Sequence, residues 1–359
     1  MIRPTGANAR LSCLRVALGL AVLGAAAALL SGCAATQSPV TCASLQGKII
    51  APASIGLPTS GATVTAAEQV AASGTGAAAL GAYCKVSADI HPVDAKAPPI
   101  KMIVNLPANF NGKGLMFGGG GYNGTIPATQ GNIPAGPVNV PVPLAQGYAT
   151  FSSDSGHQAN KLASQDGSFG LNDEAVQNFS GDALKKTHGV ALALIRAFYG
   201  IENPRRMYFV GGSTGGREAL AVAQRWPTDF DGVVALYPAW NAATLNLQFG
   251  RITRALAAPG AYPNQAKRRA LYDAAMQACD LLDGAADGLI SNVLACNAQF
   301  DPASATLNGR PLRCPGGADT GDQCLSDAQI RALKTMETSL RFNYAVQSGE
   351  SMYPGFNVW

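Results

Sequence analysis

The sequence predicts an α/β fold, in which a sheet of buried strands is covered by helices. Short, continuously apolar runs alternate with segments of helical periodicity, and a glycine-flanked serine stands directly between one such run and one such helix. Because continuous apolar runs suit strands that are buried on both faces, we expect a mostly parallel sheet. The predicted strands are 101–105, 115–117, 148–151, 207–210 and 232–237.

Helices are predicted on either side of the serine. Upstream, apolar residues recur at helical spacing from Leu184 to Phe198, and His188 lies within this stripe. A histidine on an apolar stripe is expected to be a core residue rather than a catalytic one. Downstream, a helix is predicted over 217–226.

Beyond the last predicted strand, the sequence changes to short amphipathic segments, cysteines and turns, with helices predicted over 265–279 and 326–340. An insertion after that strand would lie above the carboxyl edge of the sheet, where a lid closes over a site. We therefore expect an α/β core domain over 34–240 and part of a mainly helical lid over 241–359.

Residues 1–33 have the character of an export signal rather than of folded protein. Arginines are followed by an apolar segment over 16–30, which is too short to span a bilayer comfortably. The sequence Leu-Ser-Gly-Cys that ends at Cys33 resembles a bacterial lipobox, which predicts acylation of Cys33 and attachment to a membrane surface. An outer-membrane or periplasmic lipoprotein is expected, and cleavage near Ala35 to give a soluble periplasmic or secreted protein is the alternative.

Export makes disulfide bonds the expected state of the cysteines beyond the leader. Six cysteines allow many pairings, and pairing of neighbours along the chain respects the predicted domain boundary. A zinc site is disfavoured because no C-x-x-C pair or nearby histidine is present. The neighbour pairs are Cys42 with Cys84, Cys279 with Cys296, and Cys314 with Cys324.

The composition fits one large globular unit with an insertion. Hydrophobic residues make up 47% of the sequence, which is ample for a core. The net charge of +4 is small and spread along the chain, so nothing indicates a nucleic-acid partner.

Ser213 is the candidate nucleophile. It lies in Gly211-Gly-Ser-Thr-Gly-Gly216, directly after an apolar run and directly before a predicted helix. Small residues at 211 and 215 allow a tight strand-to-helix turn, which holds the hydroxyl out of regular structure as in the nucleophile elbow of α/β-hydrolases. The first free N–H groups of the helix, that of Thr214 included, would stabilise negative charge on a substrate oxygen. This pattern favours acyl transfer, and a plain glycine-rich turn with an exposed serine is the structural alternative.

A second glycine-rich segment, 118–124, follows another predicted strand. It resembles the oxyanion loop of lipases and esterases, so the N–H groups of Gly120 or Gly121 are candidates to act with that of Thr214. The same residues contain the dinucleotide-binding pattern G-x-G-x-x-G. That pattern needs a helix at its last glycine, and a proline-rich stretch follows instead, which disfavours nucleotide binding.

The sequence contains no candidate for the base that would activate Ser213. Its three histidines, His91, His157 and His188, all precede Ser213, whereas the order in α/β-hydrolases is serine, then acid, then histidine. Either an upstream histidine serves as the base, which the connectivity of the fold disfavours, or the fold is incomplete at its C-terminal end; we expect the second, with the catalytic aspartate and histidine beyond residue 359. A chain without them is expected to be almost inactive.

An acidic loop lies within the predicted lid. Asp280, Asp283 and Asp287 recur within eight residues, beside glycines that let the backbone curl. Hard oxygen ligands of this kind suit calcium, with the carbonyls of Ala285 and Leu289 completing the coordination. The spacing is not that of an EF-hand, and a solvated acidic turn explains it equally well.

The block 211–235, which opens Gly-Gly-Ser-Thr-Gly-Gly-Arg-Glu, resembles the tannase and feruloyl esterase family, as do Asp154-Ser-Gly-His157 and Ala197-Phe-Tyr-Gly200. The resemblance implies an α/β-hydrolase with a large lid that hydrolyses esters of aromatic acids, of feruloyl, galloyl or terephthalate type, through an acyl-enzyme. It also implies the neighbour pairing of the cysteines and a structural calcium ion in the acidic loop, and no organic cofactor is expected. An inactive exported lipoprotein that binds aromatic or glycan ligands is the alternative function.

One departure from the family concerns Gly212. The family usually has a cysteine at this position, bridged to another cysteine just after the catalytic histidine. With glycine in its place, we expect the serine and the histidine to be less constrained relative to each other.

Overall fold

An eight-stranded sheet forms the centre of the structure, a computed structural model that describes residues 40–162 and 165–358. The predicted leader, 1–33, and the acylation site Cys33 lie outside the described residues. In chain order the strands are β1 (Ile49–Ile50), β2 (Ala62–Val70), β3 (Tyr83–Ile90), β4 (Ile100–Pro107), β5 (Lys113–Phe117), β6 (Ala149–Ser153), β7 (Arg206–Gly212) and β8 (Gly232–Leu236). Across the sheet their order is β1-β2-β3-β4-β6-β5-β7-β8.

The sheet is mixed rather than mostly parallel. Strands β1 to β4 form an antiparallel block and β4 also pairs antiparallel with β6, whereas β6, β5, β7 and β8 pair in parallel. Each of the five predicted strands overlaps one of β4 to β8. Strands β2 and β3 are missing from the prediction because they mix polar with apolar residues instead of forming continuous apolar runs. Strand β3 alternates buried with half-buried positions, as antiparallel strands commonly do.

Helices flank the sheet and dominate the second half of the described chain. They are α1 (Asp173–Gln177), α2 (Ala183–Tyr199), α3 (Thr214–Arg225), α4 (Ala242–Leu256), α5 (Gln265–Cys279), α6 (Val293–Gln299) and α7 (Asp327–Glu337). Both helices predicted around the serine are present as α2 and α3, and those predicted downstream correspond to α5 and α7, whereas α4 lies outside the predicted helices. No helix among the described residues combines the length and the apolar character needed to cross a bilayer.

The main hydrophobic core joins the sheet to α2 and α3. Helix α2 packs against β4 and β6, and α3 packs against β7 and β8. Fully buried side chains such as Phe151, Phe209 and Leu194 each contribute about 1.5–3 kcal/mol by burial, which fixes the strand ends where the functional loops start. His188 is buried on α2 with its Nδ1 3.8 Å from Asp229 Oδ2, and burial lowers its pKa to about 4. This neutral, buried ring accords with the core role that its position in the stripe predicts.

Residues beyond α4 bury a second hydrophobic cluster of their own, built largely from α5, α6 and α7. Helix α7 begins at a capping box, in which the Ser326 hydroxyl accepts the Gln329 N–H and the Gln329 side chain accepts the Ser326 N–H. The same part of the chain contains two short strand pairs, β9 (Thr306–Leu307) with β10 (Arg310–Pro311) between α6 and α7, and β11 (Leu340–Arg341) with β12 (Met352–Tyr353) after α7. The lid role of this part and its boundary at residue 241 stay predictions.

Three disulfide bonds link the cysteines in the neighbour pairing that the sequence predicts. Cys42–Cys84 ties a 3₁₀ turn near the start of the described chain to β3. Cys279–Cys296 joins α5 to α6 inside the second cluster, and Cys314–Cys324 closes a loop before α7. Their sequence separations are 42, 17 and 10 residues, so Cys42–Cys84 constrains the unfolded chain most.

Replacement of Cys42 and Cys84 by serine is expected to lower the free energy of unfolding by about 4 kcal/mol, because the bond removes loop-closure entropy from the unfolded chain. The same double replacement at Cys314 and Cys324, which close a much shorter loop, should cost about 2.7 kcal/mol. Urea unfolding of the oxidised proteins measures both values. An equal or larger loss from the shorter loop would contradict this explanation.

Candidate active site

Ser213 lies on a sharp turn between β7 and α3. Its backbone has φ 57° and ψ −120°, a conformation that costs a non-glycine residue on the order of 1–3 kcal/mol. Its N–H donates to Leu236 O at 3.1 Å, and its carbonyl accepts the N–H groups of Arg217 at 3.1 Å and Ala239 at 3.0 Å. The side chain is exposed, and its hydroxyl has no hydrogen-bond partner among the described residues. The turn therefore presents a free hydroxyl, as the predicted elbow requires.

Glycine is required around this turn because three backbone segments meet there. A Cβ at Gly211 would collide with the backbone of Gly215. A Cβ at Gly118, in the segment that follows β5, would lie 2.7 Å from the Cα of Gly215. The absence of these side chains lets β7, α3 and the segment after β5 come together at one point.

The glycine-rich segment 118–124 is docked against the first turn of α3. The Gly215 N–H donates to Gly119 O at 3.0 Å, and the Thr214 hydroxyl donates to Gly121 O at 2.6 Å. These two bonds bind the segment to the helix that starts immediately after Ser213.

The predicted oxyanion donors belong to the two segments that these bonds join at the start of α3. The N–H groups of Thr214, Gly120 and Gly121 have no acceptor in the described part of the chain, so they are available to an external oxygen. Residues 118–148 contain no helix, and the dinucleotide-binding alternative therefore lacks the element that it needs. The oxyanion role of the three donors stays a prediction.

Glu218 belongs to the block that resembles the family, but the sequence analysis assigns it no role, and its helical position alone does not predict its burial. Its buried carboxylate accepts hydrogen bonds from the Gly119 N–H at 2.9 Å and from Asn123 Nδ2 at 2.7 Å. Asn123 Nδ2 also donates to Ser155 Oγ at 2.6 Å. Burial raises the pKa of the Glu218 carboxyl, while these donors and the Arg217 guanidinium oppose the rise. The network connects α3 to the glycine-rich segment and to the loop after β6.

Asp154 fixes the loop that follows β6. Its carboxylate accepts the N–H groups of Lys101 and Gly156, both at 3.0 Å, and the Gln158 Nε2 group at 2.7 Å. Its carbonyl accepts the Gly124 N–H at 3.1 Å, which supports the end of the glycine-rich segment. Burial outweighs these donors and raises the pKa of Asp154 to about 6.

No histidine is hydrogen-bonded to Ser213 in the described part of the chain. His91 Nε2 lies 3.0 Å from the hydroxyl of a β2 threonine, and His188 belongs to the main core. His157 is buried and stacks on Phe169 with ring centroids 4.1 Å apart. Burial lowers the pKa of His157, which favours the neutral ring.

Gly212, the position where the resembling family usually has cysteine, is covered by the ring of Tyr237. A Cβ at Gly212 would lie 2.6 Å from several atoms of that ring, so a cysteine here would require the ring to move. Tyr237 and Trp240 are 64% and 69% exposed. Because Leu236 O and the Ala239 N–H are hydrogen-bonded to the Ser213 backbone, Tyr237 lies in, and Trp240 directly follows, a segment that adjoins Ser213.

The acidic loop after α5 uses its carboxylates to hold its own backbone. Asp283 accepts the N–H groups of Ala285 at 3.0 Å and Ser291 at 2.9 Å, and backbone hydrogen bonds lower its pKa. Asp280 and Asp287 accept further N–H groups of the same loop. Within residues 40–162 and 165–358, no three Asp, Glu, His or Cys side chains are arranged to hold one metal ion. The predicted oxygen ligands are thus adjacent in the chain without converging.

The sequence matches the family described as tannase and feruloyl esterase over residues 84–359. An uncharacterized esterase of Agrobacterium fabrum is 43% identical over 323 residues, which cover 88% of this chain and 56% of the relative. The mono(2-hydroxyethyl) terephthalate hydrolase of Piscinibacter sakaiensis is 34% identical over 280 residues, which cover 72% of this chain and 45% of the relative. The chain therefore spans about half the length of these curated relatives.

Solved structures show the same fold. Feruloyl esterase B from Aspergillus oryzae matches with a TM-score of 0.65 and 25% identity, covering 86% of this chain and 58% of that structure. The tannin acyl hydrolase from Aspergillus niger matches with a TM-score of 0.58 and 20% identity, covering 88% and 58%. These likenesses confirm the α/β-hydrolase fold that the elbow and the strand pattern predict.

Replacement of Asp154 by asparagine is expected to change how stability depends on pH. The folded pKa of Asp154 is about 6 against a usual value of 3.8, so between these values the folded protein binds more protons than the unfolded chain. The free energy of unfolding therefore falls as pH rises through this window, by about 3 kcal/mol for this carboxyl group.

Urea unfolding of the parent and of Asp154→Asn at a series of pH values between about 4 and 7 measures this contribution. In Asp154→Asn, the free energy of unfolding should not show this decrease with rising pH, because the amide does not titrate. Parallel pH profiles for the two proteins would show that Asp154 ionises as it does in the unfolded chain.

Proposed function

Because this chain belongs to the tannase and feruloyl esterase family, we propose that it carries the nucleophile of an enzyme that hydrolyses carboxylic esters. The observation that supports this most directly is the geometry at Ser213. A free hydroxyl stands on a strained turn, and the N–H groups of Thr214, Gly120 and Gly121 are available beside it. Acyl transfer needs both features, an attacking oxygen and donors already in place for the oxyanion.

In the proposed reaction, the Ser213 oxygen attacks the carbonyl carbon of the ester and the carbonyl oxygen becomes negatively charged. The N–H groups of Thr214, with Gly120 or Gly121, stabilise that charge. Cleavage of the ester C–O bond releases the alcohol and leaves the acyl group on Ser213. Water then attacks the acyl-enzyme and releases the acid.

The base that accepts the Ser213 proton is proposed to be a histidine other than His91, His157 and His188. None of the three is hydrogen-bonded to Ser213, and burial lowers the pKa of two of them. A downstream histidine held by a downstream aspartate fits the order of residues in α/β-hydrolases. Without this base, the oxyanion donors alone would leave activity several orders of magnitude below that of the complete site.

The acyl group is proposed to be that of an aromatic acid, of feruloyl, galloyl or terephthalate type. The names of the relatives, a terephthalate monoester hydrolase and a feruloyl esterase, support this. Tyr237 and Trp240 add exposed aromatic surface beside the nucleophile, on which an aromatic acyl group can stack.

The mature protein is proposed to be exported and held on a membrane surface by lipid on Cys33. The basic and apolar leader and the lipobox-like sequence support this. The three disulfide bonds also support export, since such bonds persist in oxidising compartments. Cleavage near Ala35 without lipid would give a soluble periplasmic or secreted protein instead.

The acidic loop is proposed to bind a structural calcium ion through Asp280, Asp283 and Asp287, with the carbonyls of Ala285 and Leu289. The all-oxygen donor set supports this, and binding would require the carboxylates to turn from the loop N–H groups that they accept toward one ion. Bound calcium would neutralise the charge that three carboxylates concentrate in one exposed loop.

Replacement of Ser213 by alanine in the full-length protein is expected to lower kcat for an aryl ester such as methyl ferulate by roughly 10⁵–10⁶-fold, because no other group forms the acyl-enzyme. Ser54→Ala, at an exposed serine of a 3₁₀ turn, is the control and should keep parental activity. Substantial turnover by Ser213→Ala would remove the nucleophile assignment. Binding of the ester without turnover by the parent would favour the alternative of a ligand-binding lipoprotein.

Calcium is expected to stabilise the full-length protein, by about 2.7 kcal/mol when its concentration is a hundred times the Kd. Thermal unfolding with calcium and with EDTA measures the effect. Asp283→Asn should abolish the response, because it removes one ligand charge, whereas Asp322→Asn, at an exposed acid outside the loop, should retain it. An equal calcium response in both variants would place the ion elsewhere or show that it does not bind the loop.

A further inference from the structure

We propose that Glu218 is a positioning residue, which fixes the glycine-rich segment 118–124 so that Gly120 and Gly121 present their N–H groups to the substrate oxygen. The inference rests on the proposed esterase function and names the side chain that prepares the oxyanion donors. It is carried by the contacts of a buried carboxylate whose two oxygens are both used by this one segment.

The first contact fixes Gly119. Its N–H donates to Glu218 Oε2 at 2.9 Å, and its carbonyl accepts the Gly215 N–H at 3.0 Å. Both partners belong to α3, the helix that begins directly after Ser213. Because glycine has more backbone freedom than any other residue, these two bonds remove freedom where the donors need a fixed position.

The second contact fixes the turn that carries the donors. Asn123 Nδ2 donates to Glu218 Oε1 at 2.7 Å, and the Asn123 backbone, at φ 60°, donates its N–H to Gly120 O at 2.8 Å. The Asn123 side chain occupies the space where a Cβ at Gly119 would be. The asparagine therefore transmits the anchor from Glu218 to the turn that contains Gly120 and Gly121.

A carboxylate at this place is costly, because it is withdrawn from water and accepts only neutral donors. If Glu218 served folding alone, it would have no reason to hold a segment in which the N–H groups of Gly120 and Gly121 have no acceptor in the described chain. Preorganisation of those N–H groups does, since donors that are already in place need no rearrangement as charge develops.

The experiment measures kcat and KM for methyl ferulate in the full-length protein, with melting temperature, for Glu218→Ala and Glu218→Gln. Glu218→Ala should lower kcat by about 10- to 100-fold, because misplaced oxyanion donors stabilise the transition state less. KM should change by less than about threefold, because the donors act on the developing charge rather than on the bound ester.

Glu218→Gln should recover kcat to within about fivefold of the parent. The Gln oxygen can accept the Gly119 N–H, and its amide can donate to Asn123 Oδ1, a buried atom that has no hydrogen-bond partner. This rescue requires a rotation of the Asn123 amide, after which the Ser155 hydroxyl would donate to Asn123 Oδ1 instead of accepting from Nδ2. A role in folding alone predicts no such dependence of kcat on the hydrogen-bonding capacity of the side chain.

Asp229→Ala is the matched control. It removes another largely buried carboxylate, which Lys185 Nζ contacts at 2.6 Å and 2.8 Å, beyond the opposite end of α3. The control should lower the melting temperature and keep kcat within about twofold of the parent.

Parental kcat in Glu218→Ala, or the same loss of kcat in Asp229→Ala at a similar melting temperature, would overturn the proposal. If Glu218→Ala does not fold, Asn123→Gly replaces it, since glycine suits φ 60° and lacks the amide. Its kcat should fall by about fivefold or more, and an unchanged kcat would overturn the proposal equally. Ser213→Ala distinguishes failure of the proposed esterase function from failure of the Glu218 proposal alone. If Ser213→Ala keeps its activity, both the esterase function and the role of Glu218 are overturned.

Discussion

The close approach of two backbones at the start of α3 is the constraint on which the site depends. The carbonyl of Gly119 and the N–H of Gly215 are 3.0 Å apart, and this distance leaves no room for side chains at Gly118 or Gly211. The contact joins the segment after β5 to the turn after β7, which are neighbouring parallel strands. The carboxyl ends of such strands meet at one edge of the sheet, so a short approach there brings the proposed donors after one strand to the proposed nucleophile after the next.

Strain at Ser213 and burial of Glu218 are two unfavourable features that the surrounding structure holds in place. The 236–239 segment fixes the serine backbone from the side of β8, whereas the glutamate acts from within α3 on the segment after β5. A local change at either place would be opposed by hydrogen bonds that run to other strands. This arrangement explains why the turn keeps a conformation that a serine in isolation would rarely adopt.

The sequence predicts the parallel half of the sheet and the nucleophile turn well, because both leave local patterns. Continuous apolar runs identify the parallel strands β5 to β8 and the antiparallel strand β4 beside them, and glycines around Ser213 identify the elbow. The antiparallel half is harder, since β2 and β3 are mixed in polarity and their pairing depends on residues far apart in the chain. Glu218 is harder still, because its burial results from a segment nearly a hundred residues earlier and leaves no periodic signal in its own helix.

The described fold supplies one part of the proposed active site, and the proposed chemistry requires a second part that it does not supply. The proposed oxyanion donors lie on segments that contacts within the described chain hold in place, since the Thr214 hydroxyl bonds Gly121 O and the Gly215 N–H bonds Gly119 O. The Ser213 hydroxyl, by contrast, is hydrogen-bonded to no histidine of the described chain, and in the proposed mechanism its proton acceptor is a residue outside this network. In the proposed mechanism, donors that are fixed independently of the base can stabilise the oxyanion as soon as proton transfer begins. The proton acceptor then has only to contact Ser213 and does not have to position the donors.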